Sequence, residues 1–162
     1  MRNGTVQHPK EADGEMTSVE VSALRYQFQL SVDDAIMELG WCSREEWVKI
    51  ESGHAPVPPR LQKTLAILSE LFCELFDEAK AFYADASEPQ RIRYYKMYAD
   101  FEVDVPHASI IAWRFHQALC HSLVLMPHIK LIEHGTNGSD CPLNKSVLAE
   151  TYALSEALVS DD

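Results

Sequence analysis

A mainly α fold is what this chain predicts: an N-terminal helix-turn-helix unit, a long helix, and a small C-terminal domain with one or two short strands. Three observations carry that prediction. Hydroxyl residues are followed three positions later by acids at three places, Thr17/Glu20, Ser31/Asp34 and Ser43/Glu46. A hydroxyl at the N-cap accepts from the third amide of a helix, and an acid there answers the cap's own amide. Apolar residues after each pair recur at helical spacing. A stripe of 26 residues from Pro59 to Ala84 then repeats apolar positions in steps of four and three.

The first cap opens a helix over about 18–29, with Val21, Leu24 and Phe28 on one face. The second opens 32–39, lined by Ala35, Ile36 and Leu39, and Gly40 suits a left-handed turn after it. The third opens 44–51, with Trp47 and Ile50 facing the core. Two short helices at this spacing form a helix-turn-helix, whose second helix enters the DNA major groove. With Trp47 and Ile50 inward, Arg44, Glu45, Val48 and Lys49 face outward. Arginine and lysine pair with guanine or phosphate, glutamate accepts from cytosine N4, and valine meets a thymine methyl. Ser31 and Ser43, at helix N-termini, and His54, just past Gly53, are candidate backbone contacts. Glu46 is the capping partner of Ser43, and Glu51 is expected to tie the third helix to its neighbours.

Pro56, Pro58 and Pro59 form an elbow, and Pro59 starts a helix over 59–84. Leu61, Leu65, Leu68, Phe72, Leu75, Ala79 and Phe82 make three heptads of apolar seam, roughly 39 Å long. So wide a stripe fits either the core of a bundle or a second subunit, with Leu75 and Phe82 as candidate dimer contacts. Residues 91–103 are rich in tyrosine and β-branched types and predict one or two strands or an aromatic layer. Arg91, Arg93 and Lys96 there are candidate phosphate contacts or a solvated face; Tyr94, Tyr95 and Tyr98 could stack on bases or pack in the core. A helix over 107–126 is apolar almost all round at its end, and Trp113, Leu119 and Leu123 join the dimer candidates. Spacing in 144–159 is helical again. The divisions expected are an extension over 1–15, a helix-turn-helix domain over 16–66, a long helix and C-terminal domain over 67–135, and a tail over 136–162.

The 162 residues carry a net charge of −11, against a general nucleic-acid coat. The first 65 residues are milder, with seven Lys/Arg against ten Asp/Glu. DNA binding then requires cations focused on one face. Four cysteines, Cys42, Cys73, Cys120 and Cys141, lack CxxC spacing and read as free buried thiols in a reducing compartment rather than a disulfide scaffold. A polar N-terminus and the lack of a long apolar run point to the cytoplasm. His116 and Cys120 are half of a metal-ligand pattern with no second half. No phosphate loop or nucleophile elbow is visible. The expectation is no enzyme, no cofactor and no metal.

Met16-Thr17-x-x-Glu20-x-x-Ala23-Leu24-Arg25, Ser43-Arg44-x-x-Trp47 and Glu51-Ser52-Gly53-x-x-x-Val57-Pro58 resemble the Cro-like (lambda-repressor-like) helix-turn-helix superfamily. Adding Arg93-Tyr94-Tyr95 and Ile110-Ile111-x-Trp113-Arg114-x-x-Gln117 narrows the resemblance to the YdiL-like group, which includes anti-CRISPR-associated autorepressors, over about 16–125. The resemblance implies a lambda-repressor-like DNA-reading domain, a C-terminal dimerisation domain, repression at an inverted repeat, and Met16 as a natural start. Glu45 stands where the group tends to carry arginine. The expected partners are double-stranded DNA and a second copy of the chain; the alternatives are a partner protein, as for an antitoxin, or RNA read by the tyrosine-rich segment.

Overall fold

A computed structural model of the chain describes residues 14–39, 42–84, 86, 88–133 and 135. Six helices and two strands follow in order among them: α1 (Ser18–Gln27), α2 (Val32–Leu39), α3 (Arg44–Glu51), α4 (Pro59–Ala84), β1 (Gln90–Tyr94), α5 (Tyr98–Asp104), α6 (Ile110–Leu123) and β2 (Ile129–Glu133). The fold is mainly α with two short strands, as expected. Gly40, residues 1–13 of the expected extension over 1–15, Cys141 and the expected helix over 144–159 lie outside the described residues.

Local chemistry sets the helix ends. Thr17 and Ser43 each form a reciprocal capping box with Glu20 and Glu46. Ser31 and Asp34 make the same exchange, Ser31 N donating to Asp34 Oδ2 at 2.9 Å and Asp34 N to Ser31 Oγ at 3.0 Å. The capping holds the Glu20 and Glu46 carboxyls below their usual range. Two helices also stop in the same way. After α1, Gln29 takes φ +59°, its amide bonds Tyr26 O and the Leu30 amide bonds Arg25 O. After α3, Gly53 takes φ +75°, its amide bonds Ile50 O and the His54 amide bonds Lys49 O. Both are Schellman closures, which need one left-handed residue; glycine accepts that conformation without a Cβ penalty and glutamine does not.

Packing gathers these elements around one principal core. Val21, Phe28, Ala35, Trp47, Ile50, Leu61, Leu65, Leu68, Phe72, Leu75, Phe115 and Leu119 are all buried in it. It therefore spans α1 to α3, α4 and α6. Phe28, Phe72 and Phe115 meet at its centre, with ring centroids 4.9–5.7 Å apart. A second cluster joins Ala79 and Tyr83 to Ile92, Cys120, Leu123 and Ile129. A third holds Tyr95, Phe101, Ala108, Ala112 and Trp113.

The apolar seam of α4 belongs to this core. Leu61 through Ala79 are buried, but the last step departs from the heptad: Phe82 is 61% exposed and Tyr83 is buried in its place. A straight helix of 3.6 residues per turn drifts against a seven-residue repeat by about 20° per heptad. After three heptads the core-facing position has moved one residue on.

Residues 91–103 divide between a strand and a helix. β1 pairs in parallel with β2, Gln90 opposite Ile129 through Tyr94 opposite Glu133. Tyr98–Asp104 then turns helical as α5, which buries Phe101 under α6. The Tyr98 hydroxyl donates to Ala108 O. Tertiary packing overrides the strand preference of the residues here. The helix expected over 107–126 is shorter at both ends, capped at Ser109, whose hydroxyl accepts from Ala112 N at 3.1 Å.

His116 lies wholly inside this layer. Its Nε2 donates to Arg93 O at 2.9 Å, and its buried Nδ1 has no partner. Burial opposes the charged ring and pulls its pKa down to about 4 from 6.5, against the raising effect of the Arg93 carbonyl. The folded pKa is depressed, so this stabilisation is complete above about pH 6.5 and is lost as pH falls toward 4. We expect about 3 kcal/mol of acid-linked destabilisation across that window, read by urea melts at pH 7, 5.5 and 4.5. His116→Gln should flatten the dependence; an unchanged profile in that variant would assign it to other groups.

Candidate nucleic-acid interface

α3 carries the candidate surface, and its posture follows from what holds it. Trp47 and Ile50 are buried at 1% and 3% exposure. That turns Arg44, Glu45, Val48 and Lys49 to solvent, as the spacing predicts. At the far end of the helix, Glu51 accepts from Arg25 Nε at 2.7 Å and from its NH2 at 3.2 Å. Arg25 NH1 donates to Leu30 O at 2.9 Å. Arg25 is 7% exposed. Burial works against its charge, but the Glu51 and Tyr26 contacts outweigh that and leave its pKa raised. Glu51 thus fastens α3 to α1 and supplies the structural tie expected of it.

The outward cations are paired. Arg44 NH1 meets Asp33 Oδ1 at the start of α2, and both side chains are about two-thirds exposed. Lys49 Nζ meets Glu45 Oε1 at 2.7 Å one turn back. Exposed pairs of this kind are worth only about 0–1 kcal/mol. A phosphate or a base edge can replace the carboxylate partner at little cost. Val48, 50% exposed, lies between the cations as the apolar element of the face. Asp33 was not among the expected site residues. It lies 11 positions from Arg44, outside any local pattern, and only the packing of α2 against α3 brings it there.

Ser31 and Ser43 are exposed at the starts of α2 and α3, but their hydroxyls already serve the capping boxes. Phosphate contact there would use the helix ends rather than free hydroxyls. His54 is exposed next to α3. Ser52 Oγ donates to Val48 O at 2.7 Å and therefore accepts from His54 Nδ1 at 2.8 Å.

The second basic cluster lies on β1 and the segment after it, and it is largely committed. Arg93 NH1 pairs with Asp104 Oδ2 at 2.6 Å, holding β1 to α5. Lys96 pairs with Glu133 at the end of β2. Arg91 is exposed on β1. The tyrosines mainly pack. Tyr95 is buried, and its hydroxyl donates to Asp104 Oδ2 at 2.5 Å; burial and this contact push its pKa up. Tyr98 lies against Trp113, and Tyr94 against His121.

Of the candidate dimer contacts, Leu75, Trp113, Leu119 and Leu123 are buried inside the protomer at 8% exposure or less. Their apolar character is used by the chain's own core, which removes them from a candidate subunit surface. Phe82 remains accessible. Burial pushes the Cys120 thiol up, as expected of an unreactive core cysteine, but Cys42 is only partly buried and Cys73 is exposed on the solvent side of α4, against the expectation of buried thiols. The described residues contain no group of three or more metal-ligating side chains. No described helix is long and apolar enough to cross a membrane.

A family model described as Aca2/YdiL-like matches residues 16–128. The chain belongs to the Aca2/YdiL-like family. It is also 27% identical over 117 residues to the Aca2 repressor of Pectobacterium phage ZF40, an alignment covering 72% of this chain and 100% of that relative. The Aca2/YdiL-like match takes in α1 to α6, and so both the exposed α3 face and the Trp113-Arg114-x-x-Gln117 element.

Proposed function

We propose that this chain is a sequence-specific DNA-binding repressor that acts as a homodimer at an inverted repeat. The observation that carries the proposal is the face of α3. Arg44, Glu45, Val48 and Lys49 project outward from a helix locked at one end by the Ser43/Glu46 box and at the other by Glu51 and Arg25. A groove-reading helix needs that combination of a rigid backbone and solvent-exposed side chains held only by exchangeable surface pairs. The similarity to a protein named as a repressor supports the same reading. Repression follows from occupancy: a dimer seated on a promoter excludes polymerase. The overall charge of −11 favours discrimination, since acidic surfaces away from α3 suppress non-specific adhesion.

The test is a mobility shift over a salt series, using the duplex that the protein selects from a random library and a competitor duplex. A selective, salt-sensitive shift at two protomers per site is expected. Arg44→Ala and Lys49→Ala should each weaken that binding about 10-fold or more, with unchanged thermal melts. Full affinity in both variants would remove α3 from the interface. Tyr94→Ala is the control for nucleic-acid contact through the aromatic segment and should leave the shift unaltered.

A further inference from the structure

Arg114, on α6, is far from α3 in sequence yet grips the helix-turn-helix. Its Nε donates to Asp34 Oδ2 at 3.0 Å and its NH2 reaches the same oxygen at 2.9 Å. Both side chains are mostly buried, at 24% and 17% exposure. The same Asp34 oxygen accepts the Ser31 amide that starts α2. One turn along α2, burial pushes the half-buried Glu38 carboxyl up, an effect the Ile111 backbone in the first turn of α6 opposes and the Asp34 charge reinforces. Asp34, on α2, therefore holds the N-terminal half of α6 through Arg114.

Arg114 is itself held on its other sides. NH1 donates to Gln117 Oε1 at 2.9 Å, and the guanidinium lies 4.2 Å from the Trp113 ring centroid. Trp113 Nε1 and Gln117 Nε2 both donate to Tyr95 O at 3.0 Å. A polar chain thus runs from the segment after β1, through Trp113, Gln117 and Arg114, to the start of α2. A planar guanidinium gripped on several sides admits one orientation, and partly buried ion pairs are best attested as devices that select one geometry.

We propose that Arg114 is a positioning residue that sets the half-site spacing the protein reads, by fixing the helix-turn-helix against the C-terminal body. The proposal rests on the dimeric DNA-binding reading above. In a dimer joined through the C-terminal body, the distance and rotation between two α3 helices depend on how rigidly each is mounted. Adding one base pair between half-sites moves them apart by about 3.4 Å and rotates them by about 35°. A rigid mount rejects that displacement and a loosened mount absorbs it.

The experiment compares wild type, Arg114→Gln and Arg114→Lys by fluorescence anisotropy. The probes are the selected inverted repeat, the same repeat with one or two base pairs added or removed between half-sites, and a single half-site. For wild type, a one-base-pair change should cost about 10-fold or more in affinity. For Arg114→Gln, that penalty should shrink to about 3-fold or less, with single half-site affinity unchanged. Arg114→Lys, which keeps the charge and loses the fork, should fall between them, and it carries the comparison if Arg114→Gln does not fold. A general loss of stability would lower affinity for all probes together and leave the spacing profile intact, which overturns the proposal. Wild type that binds DNA without a spacing preference also overturns it. Wild type that binds no duplex overturns the DNA-binding reading itself.

Discussion

Phe115→Ala should be the most destabilising single substitution at the centre of this fold, by about 3–5 kcal/mol. The Phe115 ring is 1% exposed and lies between Phe28, just after α1, and Phe72 in α4. Truncation removes the transfer free energy of a whole aromatic side chain and leaves a hole among helices from both halves of the chain. Those helices are also tied by the α2–α6 contacts, so they cannot collapse freely into it. Small domains are typically stable by only about 5–15 kcal/mol, so the variant should unfold at markedly lower urea. Because this ring joins the helix-turn-helix to α6, far-UV and tryptophan signals should still fall in one transition if the core is cooperative. A loss below about 1.5 kcal/mol would mean that the three rings repack without a cavity.

Glu51→Gln is the second large effect and acts through charge. The side chains of Arg25 and Glu51 are 8% and 14% exposed. A neutral amide keeps the shape and one acceptor, but strands a buried guanidinium without its counter-charge. Removing one member of a buried pair typically costs about 3–5 kcal/mol; with the remaining hydrogen bonds, about 3 kcal/mol is expected. Arg25→Met together with Glu51→Leu should recover part of that loss, since apolar replacement of both partners removes the desolvation cost. Full recovery is not expected, because Leu30 O also loses the Arg25 donor. The midpoint of urea unfolding decides both points, and a single-variant loss within experimental scatter would show the pair to be solvated.

Where the chain speaks locally, its structure was legible. The three capping pairs and the Trp47/Ile50 spacing placed α1 to α3 and the outward face of α3 to within a residue or two, because caps and periodicity act over three or four positions. Long-range partners were not legible. β2 is a five-residue strand with nothing in its own composition to name β1 as its neighbour. α5 hides behind aromatic and β-branched residues whose helical state depends on burying Phe101. The apolar richness of α6 was visible, but whether Trp113, Leu119 and Leu123 face the protomer's core or a second subunit depends on α5 and Tyr95 lying over Trp113, α4 over Leu119, and α4 with the two strands over Leu123. Arg114 stood out only as part of a family element, and its grip on Asp34 spans 80 residues.

The pairing of β1 with β2 has a kinetic side. In parallel register, Gln90 meets Ile129 only after α5 and α6 have been made and folded back. Loop-closure entropy for such distant partners must be met before their contacts return anything, so these strands zip late. During synthesis, α1 to α4 are complete on the growing chain before Phe115 exists to fill the space between Phe28 and Phe72. The nascent chain therefore passes through a stage in which α1 to α4 have been synthesised but the ring that fills the space between Phe28 and Phe72 has not, and mutations that slow α6 should lower yield more than their effect on final stability implies.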